Sequence, residues 1–219
     1  MCIVPIDRLG NEFVCVLLAA GRGERFRASA GREDADKLMS ALPDGRAVAA
    51  ASAAALLRAL PAVVAVVRPG TPALHQVLRS AGCVVLETAD AARGMGASLA
   101  HAARELMRAH EDTRLSAGSR SADAAAPRGC LVALADMPWV TPATLLAVRD
   151  AARVHRIAAP VYGGRRGHPV AFAWDLLPEL AALDGDEGAR ALLKRHGVYE
   201  VQCTDPGVLR DVDTVGDLV

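Results

Sequence analysis

The chain has 219 residues, which predicts a single domain, because domains commonly hold about 100 to 200 residues. A hydrophobic content of 52% with 23% charged residues is typical of a globular protein and excludes global disorder and a collagen-like or coiled-coil fibre. The 25 basic residues balance the 25 acidic ones and only 3% of residues are aromatic, so neither nucleic acid nor an anionic membrane is expected as a partner.

In chain order, apolar strands alternate with helices. The predicted elements are strand Phe13–Ala19, helix Ala47–Leu60, strand Ala62–Val67, helix Thr71–Ala81, strand Cys83–Leu86, helix Ser98–His110, strand Cys130–Ala135 and helix Thr141–Val154. Thr71 and Thr141, each followed by proline, have the pattern of helix N-caps. This alternation predicts an α/β layered domain with parallel strands.

After this alternation the pattern changes. Short strands are predicted at Ile157–Val161, Val170–Ala173 and Tyr199–Cys203, with helices between them. The segment from Glu111 to Gly129 is rich in Ser, Ala, Gly and charge, which predicts a mobile surface loop. The second half is therefore expected to be a substrate-facing elaboration of the same domain.

No targeting or membrane segment is recognisable. The longest run of small apolar residues, Ala47 to Leu57, is shorter than the roughly 18 to 20 residues that a membrane span needs. Asp7, Arg8 and Glu12 stand where a signal peptide would have its apolar core. The five cysteines form no C-x-x-C pair, which favours buried thiols. We therefore expect a cytoplasmic protein.

A glycine- and arginine-rich loop, LAAGRGERF (Leu18–Phe26), follows the first strand. Such a loop can bind phosphates, because glycine lets backbone N–H groups approach closely and guanidinium groups neutralise phosphate oxygens. The alternative is an ordinary strand-to-helix turn. A Walker A loop is disfavoured because Gly-Lys-Ser/Thr is missing. A dinucleotide fingerprint is disfavoured because a third glycine is missing and Arg68 stands where an acidic residue is needed.

Three aspartates are candidate metal ligands. Asp136 directly follows the strand Cys130–Ala135, at the sheet edge where open α/β folds bind ligands. Magnesium takes one or two carboxylates together with phosphate oxygens and water, so a second acid is expected. Asp211 and Asp213 alternate along the chain and either could face the site. Turn or capping aspartates are the alternative at all three positions.

Short motifs along the chain resemble those of one family. They are LAAGRGERF, Asp36-Lys37-Leu38, GMGASL (Gly94–Leu99), ADMPWVTP (Ala135–Pro142), RGHPV (Arg166–Val170), GDEGAR (Gly185–Arg190) and Asp211-Val212-Asp213-Thr214. In this order they resemble the nucleotidyltransferases that attach a nucleotide to molybdopterin, most closely the molybdenum cofactor cytidylyltransferases. The resemblance spans Val14 to Leu218.

The resemblance implies a fold and a division of labour. It implies a single-domain, Rossmann-like, three-layer nucleotidyltransferase fold with a mostly parallel sheet over residues 1–219. Residues of about 13–140 would bind the nucleotide, and residues of about 141–219 would bind the acceptor. The terminal phosphate of molybdopterin would attack the α-phosphorus of CTP, giving molybdopterin cytosine dinucleotide and pyrophosphate.

The resemblance also implies site residues. Lys37, Arg25 and Asp136 would be catalytic, with Lys37 at the α-phosphate, and Asp136 and Asp213 would hold Mg²⁺. The remaining ligand-binding candidates are Leu18, Ala19, Ala20, Gly21, Arg22, Gly23, Ser98 and His168. Ala20 favours cytosine, since guanylyl-transferring relatives tend to carry glycine there. The residues Arg27 to Ala35 add length before Lys37, so the reach of this lysine depends on how they fold.

Several of these side chains have plainer alternatives. Ser98 could meet the nucleotide or simply cap its helix. His168 lies beside Arg165 and Arg166 in a loop suited to an anionic pterin phosphate, or it packs as a loop histidine. Asp186 is predicted to cap a helix that runs to His196. Arg190 lies on that helix and either binds substrate or belongs to its solvent-exposed face.

Two functions compete with the cytidylyltransferase. The same fold could use GTP or another phosphorylated acceptor, or the protein could be a non-catalytic carrier of the finished molybdenum cofactor. The carrier is disfavoured because it would need neither Lys37 nor the carboxylates. A molybdenum hydroxylase would be the recipient of the product.

Overall fold

The structure is a computed structural model that describes residues 12–116 and 126–219. Its strands are β1 Phe13–Leu18, β2 Val63–Val67, β3 Val84–Glu87, β4 Gly129–Leu134, β5 Ile157–Tyr162, β6 Arg165–Arg166, β7 Val170–Ala173 and β8 Tyr199–Gln202. Its α-helices are α1 Glu24–Ala30, α2 Val48–Ala59, α3 Pro72–Ser80, α4 Met95–Ser116, α5 Pro142–Ala151, α6 Leu177–Ala181 and α7 Arg190–His196.

All of these strands form one sheet in the order β3-β2-β1-β4-β7-β5-β6, with β8 paired to β5. The first four strands are parallel, with Val16 of β1 opposite Val64 of β2 and Val132 of β4. Strand β7 runs antiparallel to both β4 and β5. The predicted α/β class with a mostly parallel sheet is thus confirmed, and the antiparallel strands belong to the second half of the chain.

Alternation along the strands divides the core into two. Phe13, Cys15 and Leu17 of β1 face one apolar cluster, to which α2, α3 and α5 contribute. Val14 and Val16 face the other cluster, to which α4, α6 and α7 contribute. Successive strand side chains point to opposite faces, so a strand covered on both sides must be apolar throughout. Helices on both faces give the expected three layers.

Three of the cysteines in the described ranges are core residues. Cys15, Cys83 and Cys130 are buried in these clusters. Burial raises the pKa of Cys83 to about 11 and that of Cys130 to about 12. Thiols with such values stay protonated and unreactive at neutral pH, as the spacing of the cysteines suggests.

Helix α4 corrects two predictions. It begins at Met95 rather than Ser98, and it continues past His110 to Ser116. The surface-loop prediction is therefore wrong over residues 111–116, while residues 117–125 lie outside the described residues. Salt bridges three and four residues apart, from Arg108 to Glu105 (2.6 Å) and Asp112 (3.3 Å), stabilise this polar end of the helix.

Helix starts give a mixed outcome. The Thr141 side chain caps α5 by accepting from the Thr144 N–H, as predicted. Thr71 makes no such bond, and its hydroxyl donates to the Arg68 carbonyl at 2.9 Å. Asp186 is not a cap either, since α7 begins only at Arg190.

Helix α1 was not among the predicted elements.

Within the ranges given above, no helix combines the length and apolarity needed to cross a membrane. The acidic and basic residues used against a signal peptide, Asp7 and Arg8, lie outside the described residues.

Candidate active site

A cavity of about 540 Å³ lies at the carboxyl ends of β1 and β4. Its walls include residues 18–26, residues 91–95 and the side chains of Lys37, Asp136 and Asp213. The parallel strands end at one edge of the sheet, so loops that are far apart in sequence meet there. The predicted ligand-binding residues from Leu18 to Gly23 all line this cavity.

The loop between β1 and α1 is held by two arginine side chains. Arg68 donates to the Gly21 carbonyl at 2.5 Å, and Arg27 donates to the Arg22 carbonyl. Gly23 has a φ of 64°, in the left-handed region that glycine adopts without strain. In the sequence, Arg68 counted only against a dinucleotide-binding fold, and its support of the loop was not predicted. The signal for that role was an arginine directly after the second strand.

Lys37 lies in the wall of the cavity and contacts two aspartates. Its Nζ donates to Asp136 Oδ2 at 2.5 Å and lies 3.6 Å from Asp213 Oδ1, with 13% of the side chain exposed. The additional residues before it are taken up by the last turn of α1 and by a bend in which Arg32 pairs with Asp34 at 2.7 Å. With this added length, Lys37 still lines the cavity.

Asp213, rather than Asp211, lies with Asp136 at salt-bridge distance from the Lys37 ammonium group. The Val212 N–H donates to the Asp136 carbonyl at 2.9 Å, which joins the two segments through their backbones. Asp213 Oδ2 also accepts from Arg25 at 2.8 Å, although 83% of the Arg25 side chain is exposed. Burial raises the pKa of Asp211, and the nearby carboxylates of Asp213 and Asp136 raise it further. Three carboxylates are thus concentrated at this point.

The carboxylates suit a magnesium ion that shares its shell with phosphates. Asp136 Oδ1 is buried and has no hydrogen-bond partner among the described residues. A buried polar atom without a partner is costly, so this oxygen fits a ligand to a cation. No group of three or more His, Cys, Asp or Glu side chains within residues 12–116 and 126–219 could hold a metal by itself. Mg²⁺ does not need one, because it keeps water and phosphate ligands.

Ser98 lies in the first turn of α4 rather than at its N-cap. Its hydroxyl donates to the Gly94 carbonyl at 3.2 Å, and the residue is buried in the cavity wall. The Gly96 N–H donates to the Gly185 carbonyl at 2.7 Å. A Cβ at Gly94 would overlap the Gly185 backbone and the side chain of Asp186. This close approach brings Asp186 into the cavity wall, a position that the sequence did not indicate.

His168 does not line the first cavity, although the Asp136 carboxylate is close enough to act on its pKa. It lines a second cavity of about 260 Å³, together with Arg166, Glu187 and Arg190, whereas Arg165 is not part of the lining. Burial lowers the pKa of His168, and its Nδ1 has no hydrogen-bond partner among the described residues. The two cavities share Leu18, Met95 and Leu134 in their walls, so they are adjacent.

Comparison with known structures gives the same architecture. Rv0371c from Mycobacterium tuberculosis H37Rv is 26% identical, with 95% of each chain covered and a TM-score of 0.70. A nucleotidyl transferase from Methanothermobacter thermautotroptrophicus is 25% identical, with 95% of this chain and 94% of that chain covered and a TM-score of 0.71.

Molybdopterin-guanine dinucleotide biosynthesis protein A from Archaeoglobus fulgidus is more distant. It is 17% identical, with 94% of this chain and 95% of that chain covered and a TM-score of 0.56, so it supports the fold alone. No curated protein matches the chain in sequence. The MobA-like NTP transferase domain matches residues 15–201. Because that match covers most of the chain, this protein belongs to the MobA-like NTP transferase family of nucleotidyltransferases.

Proposed function

We propose that this nucleotidyltransferase moves CMP from CTP to molybdopterin, with Mg²⁺ as cofactor, and releases pyrophosphate. The observation that carries the proposal is the contact of Lys37 with Asp136 and Asp213 beside the loop 18–26. Phosphoryl transfer requires positioning and charge stabilisation more than a nucleophilic side chain. A cation between two carboxylates at the edge of a phosphate-binding cavity meets that requirement.

Each part of the cluster has a role in the proposed reaction. The loop from Gly21 to Arg25 would bind the triphosphate, and Lys37 would neutralise the α-phosphate. An oxygen of the acceptor phosphate forms the new bond to the α-phosphorus, and the bond to the β-phosphate oxygen breaks, so that pyrophosphate leaves towards Arg22 and Arg25. Asp136 and Asp213 would hold Mg²⁺, which when bound neutralises phosphate charge.

The acceptor is assigned to the second cavity. Arg166 and Arg190 in its lining suit an anionic ligand, beside which His168 can donate a hydrogen bond, and Glu187 is the acidic residue of the lining. Its shared wall with the first cavity would let the phosphate of an acceptor approach the α-phosphorus of CTP. In this proposal molybdopterin occupies the second cavity, and a molybdenum hydroxylase receives the dinucleotide in the cytoplasm.

The preference for a cytosine base depends on one residue, Ala20. Ala20 lies in the wall of the first cavity and supports cytosine through the family resemblance. The similar Archaeoglobus fulgidus protein is named for a guanine dinucleotide, which keeps GTP as the second candidate.

A thermal-shift panel tests the nucleotide and the metal. CTP, GTP, ATP and UTP are each added with and without Mg²⁺, because a ligand that binds only the folded protein raises the melting temperature. We expect the largest Mg²⁺-dependent shift with CTP, followed by CMP transfer when molybdopterin is supplied. A larger shift with GTP would replace the base assignment. Absence of a shift with all four nucleotides would favour the carrier function.

A further inference from the structure

Lys37 occupies the position between the two proposed metal ligands. Its ammonium group contacts Asp136 Oδ2 at 2.5 Å and Asp213 Oδ1 at 3.6 Å. Only 13% of the Lys37 side chain and 18% of the Asp136 side chain are exposed. Asp136 Oδ1 has no partner among the described residues, but a cation that also binds Asp213 would have to compete with this ammonium group for the negative charge of both carboxylates.

The stem of the lysine connects this contact to the phosphate loop. A Cβ placed on Gly23 would lie 3.6 Å from Cγ and 3.8 Å from Cδ of Lys37, so the stem passes beside the loop. A triphosphate bound by the loop would bring several negative oxygens to the same ammonium group. A flexible four-carbon stem lets the group exchange one set of oxygen partners for another.

The charges in direct contact already balance. Asp136 and Asp213 carry two negative charges, and Lys37 and Arg25 supply two positive charges at salt-bridge distance. Asp211 is close enough for these carboxylates to affect its pKa, so it adds at most one further negative charge. Coulomb attraction for a divalent cation is therefore largely cancelled while Lys37 remains in place.

We infer that Lys37 blocks the carboxylate pair against divalent cations until a nucleoside triphosphate draws its ammonium group away. The metal then binds together with the nucleotide instead of before it. This inference rests on the proposed function only in taking Asp136 and Asp213 as the metal ligands. It gives the lysine a role in the order of binding, in addition to its proposed contact with the α-phosphate.

The test measures binding of Mn²⁺ alone, without nucleotide, from the electron paramagnetic resonance signal of the free ion. Mn²⁺ prefers the same oxygen ligands as Mg²⁺. We expect Lys37→Met to bind Mn²⁺ more tightly than wild type, by about tenfold or more, because a partly buried ion pair no longer competes. The chain has only one other lysine, Lys194, so Lys194→Met is a matched control that should bind as wild type does.

The double variant Lys37→Met/Asp136→Asn locates the effect. It should lose the gain in affinity, since the carboxylate released by the first substitution is removed by the second. Equal or weaker binding by Lys37→Met would overturn the inference, and so would a gain that persists in the double variant. Melting temperatures show whether each variant is folded.

A measurement on the wild-type protein avoids the need for a folded variant. Acetylation of Lys37 is followed by mass spectrometry, with exposed Lys194 as the internal reference. Mn²⁺ at a saturating concentration should increase the acetylation of Lys37 relative to Lys194, because the ion displaces the ammonium group. An unchanged ratio would contradict the inference.

The outcomes separate this inference from the proposed function. Tighter Mn²⁺ binding by Lys37→Met in a protein that transfers no CMP would support the inference and reject the cytidylyltransferase function. CMP transfer by a wild-type protein whose Lys37→Met variant gains no affinity for Mn²⁺ would support the cytidylyltransferase function and reject the inference.

Discussion

Asp205 is buried and Asp136 is partly buried, but the two carboxylates differ in how many hydrogen bonds they accept. Asp205 accepts four hydrogen bonds: Oδ2 from the Thr141 N–H and hydroxyl and from the Thr144 hydroxyl, and Oδ1 from the Gly207 N–H, all at 2.8 to 2.9 Å. Asp136 has one oxygen on Lys37 and one oxygen without a partner among the described residues. The first carboxylate is complete within the fold, whereas the second still has an oxygen available for a ligand.

The pKa of Asp205 reflects its complete set of donors. Burial by itself would raise this pKa, but the hydrogen bonds from Thr141, Thr144 and Gly207 outweigh burial and lower it. These donors connect the loop after β8 to the start of α5. In this molecule the number of donors around a carboxylate, more than its burial, therefore separates a structural aspartate from a candidate catalytic one.

The largest effect is expected from Asp136→Asn. This substitution removes the negative charge that Lys37 and the proposed Mg²⁺ share, and CMP transfer should fall about a thousandfold in kcat/KM. The melting temperature should fall by less than the activity does, because the amide fits the same space and Asp213 stays within 3.6 Å of the Lys37 ammonium group. A steady-state assay with CTP and molybdopterin, together with a melting curve, checks both parts. Retained turnover would count against the enzymatic role of Asp136.

Asp205→Ala should have the opposite pattern. It leaves the donors of Thr141, Thr144 and Gly207 without an acceptor, which should lower the free energy of unfolding by about 2 to 4 kcal/mol. Urea unfolding measures this change, and kcat of the folded protein should stay near that of wild type. As a control, Asp175→Ala removes an exposed ion pair with Arg156 and should cost about 0.5 kcal/mol or less. Equal losses in the two variants would contradict the structural role of Asp205.

Arg25→Ala tests whether an exposed side chain beside the Asp136 cluster acts in nucleotide binding rather than in stability. The Arg25 ion pair with Asp213 is largely exposed, so stability should change by less than about 1 kcal/mol. If Arg25 binds the triphosphate, KM for CTP should rise about three- to tenfold with a smaller change in kcat, since the lost contact exists before the transition state. An unchanged KM would remove Arg25 from the set of nucleotide-binding residues.

The smallest expected effect is a dependence of stability on pH at Asp205. Because its pKa is lowered in the folded state, the ionised carboxylate stabilises the fold fully above its ordinary pKa of about 3.9. That contribution is lost as pH falls through the lower pKa of the folded state. The difference in unfolding free energy between wild type and Asp205→Asn should therefore shrink between pH 5 and about pH 3. A difference that stays constant over this range would contradict the lowered pKa.

Much of the fold could be predicted from local pattern. Strands β1 and β7 and the cap at Thr141 were found within a residue, because short apolar runs and capping residues are properties of neighbouring positions in the chain. Helix α1 was missed, since it has only seven residues and follows a glycine-rich loop. The end of α4 was missed because its ion pairs, such as Arg114 with Glu111 at 3.0 Å, lie in a segment whose composition is typical of a loop.

The candidate site was predictable as a set of residues but not as an arrangement. Sequence motifs selected Lys37 and Asp136, which are 99 positions apart in the chain and in contact in the structure. Strand alternation alone left Asp211 and Asp213 open, whereas the family resemblance assigned Asp213, and in the fold Asp213 lies 3.6 Å from the Lys37 ammonium group. The division of roles between residues of about 13–140 and about 141–219 stays a prediction.

The α/β class, the apolar strands and the family to which the motifs belong could be predicted without a structure, because these depend on residue type and spacing along the chain. The tertiary structure alone decided which aspartate is fully hydrogen-bonded, that His168 lines a separate cavity from Lys37, and that the ammonium group of Lys37 lies between two carboxylates. The physical reason is that burial, hydrogen-bond partners and charge neighbours come from segments distant in sequence, and these contacts exist only once the sheet has formed.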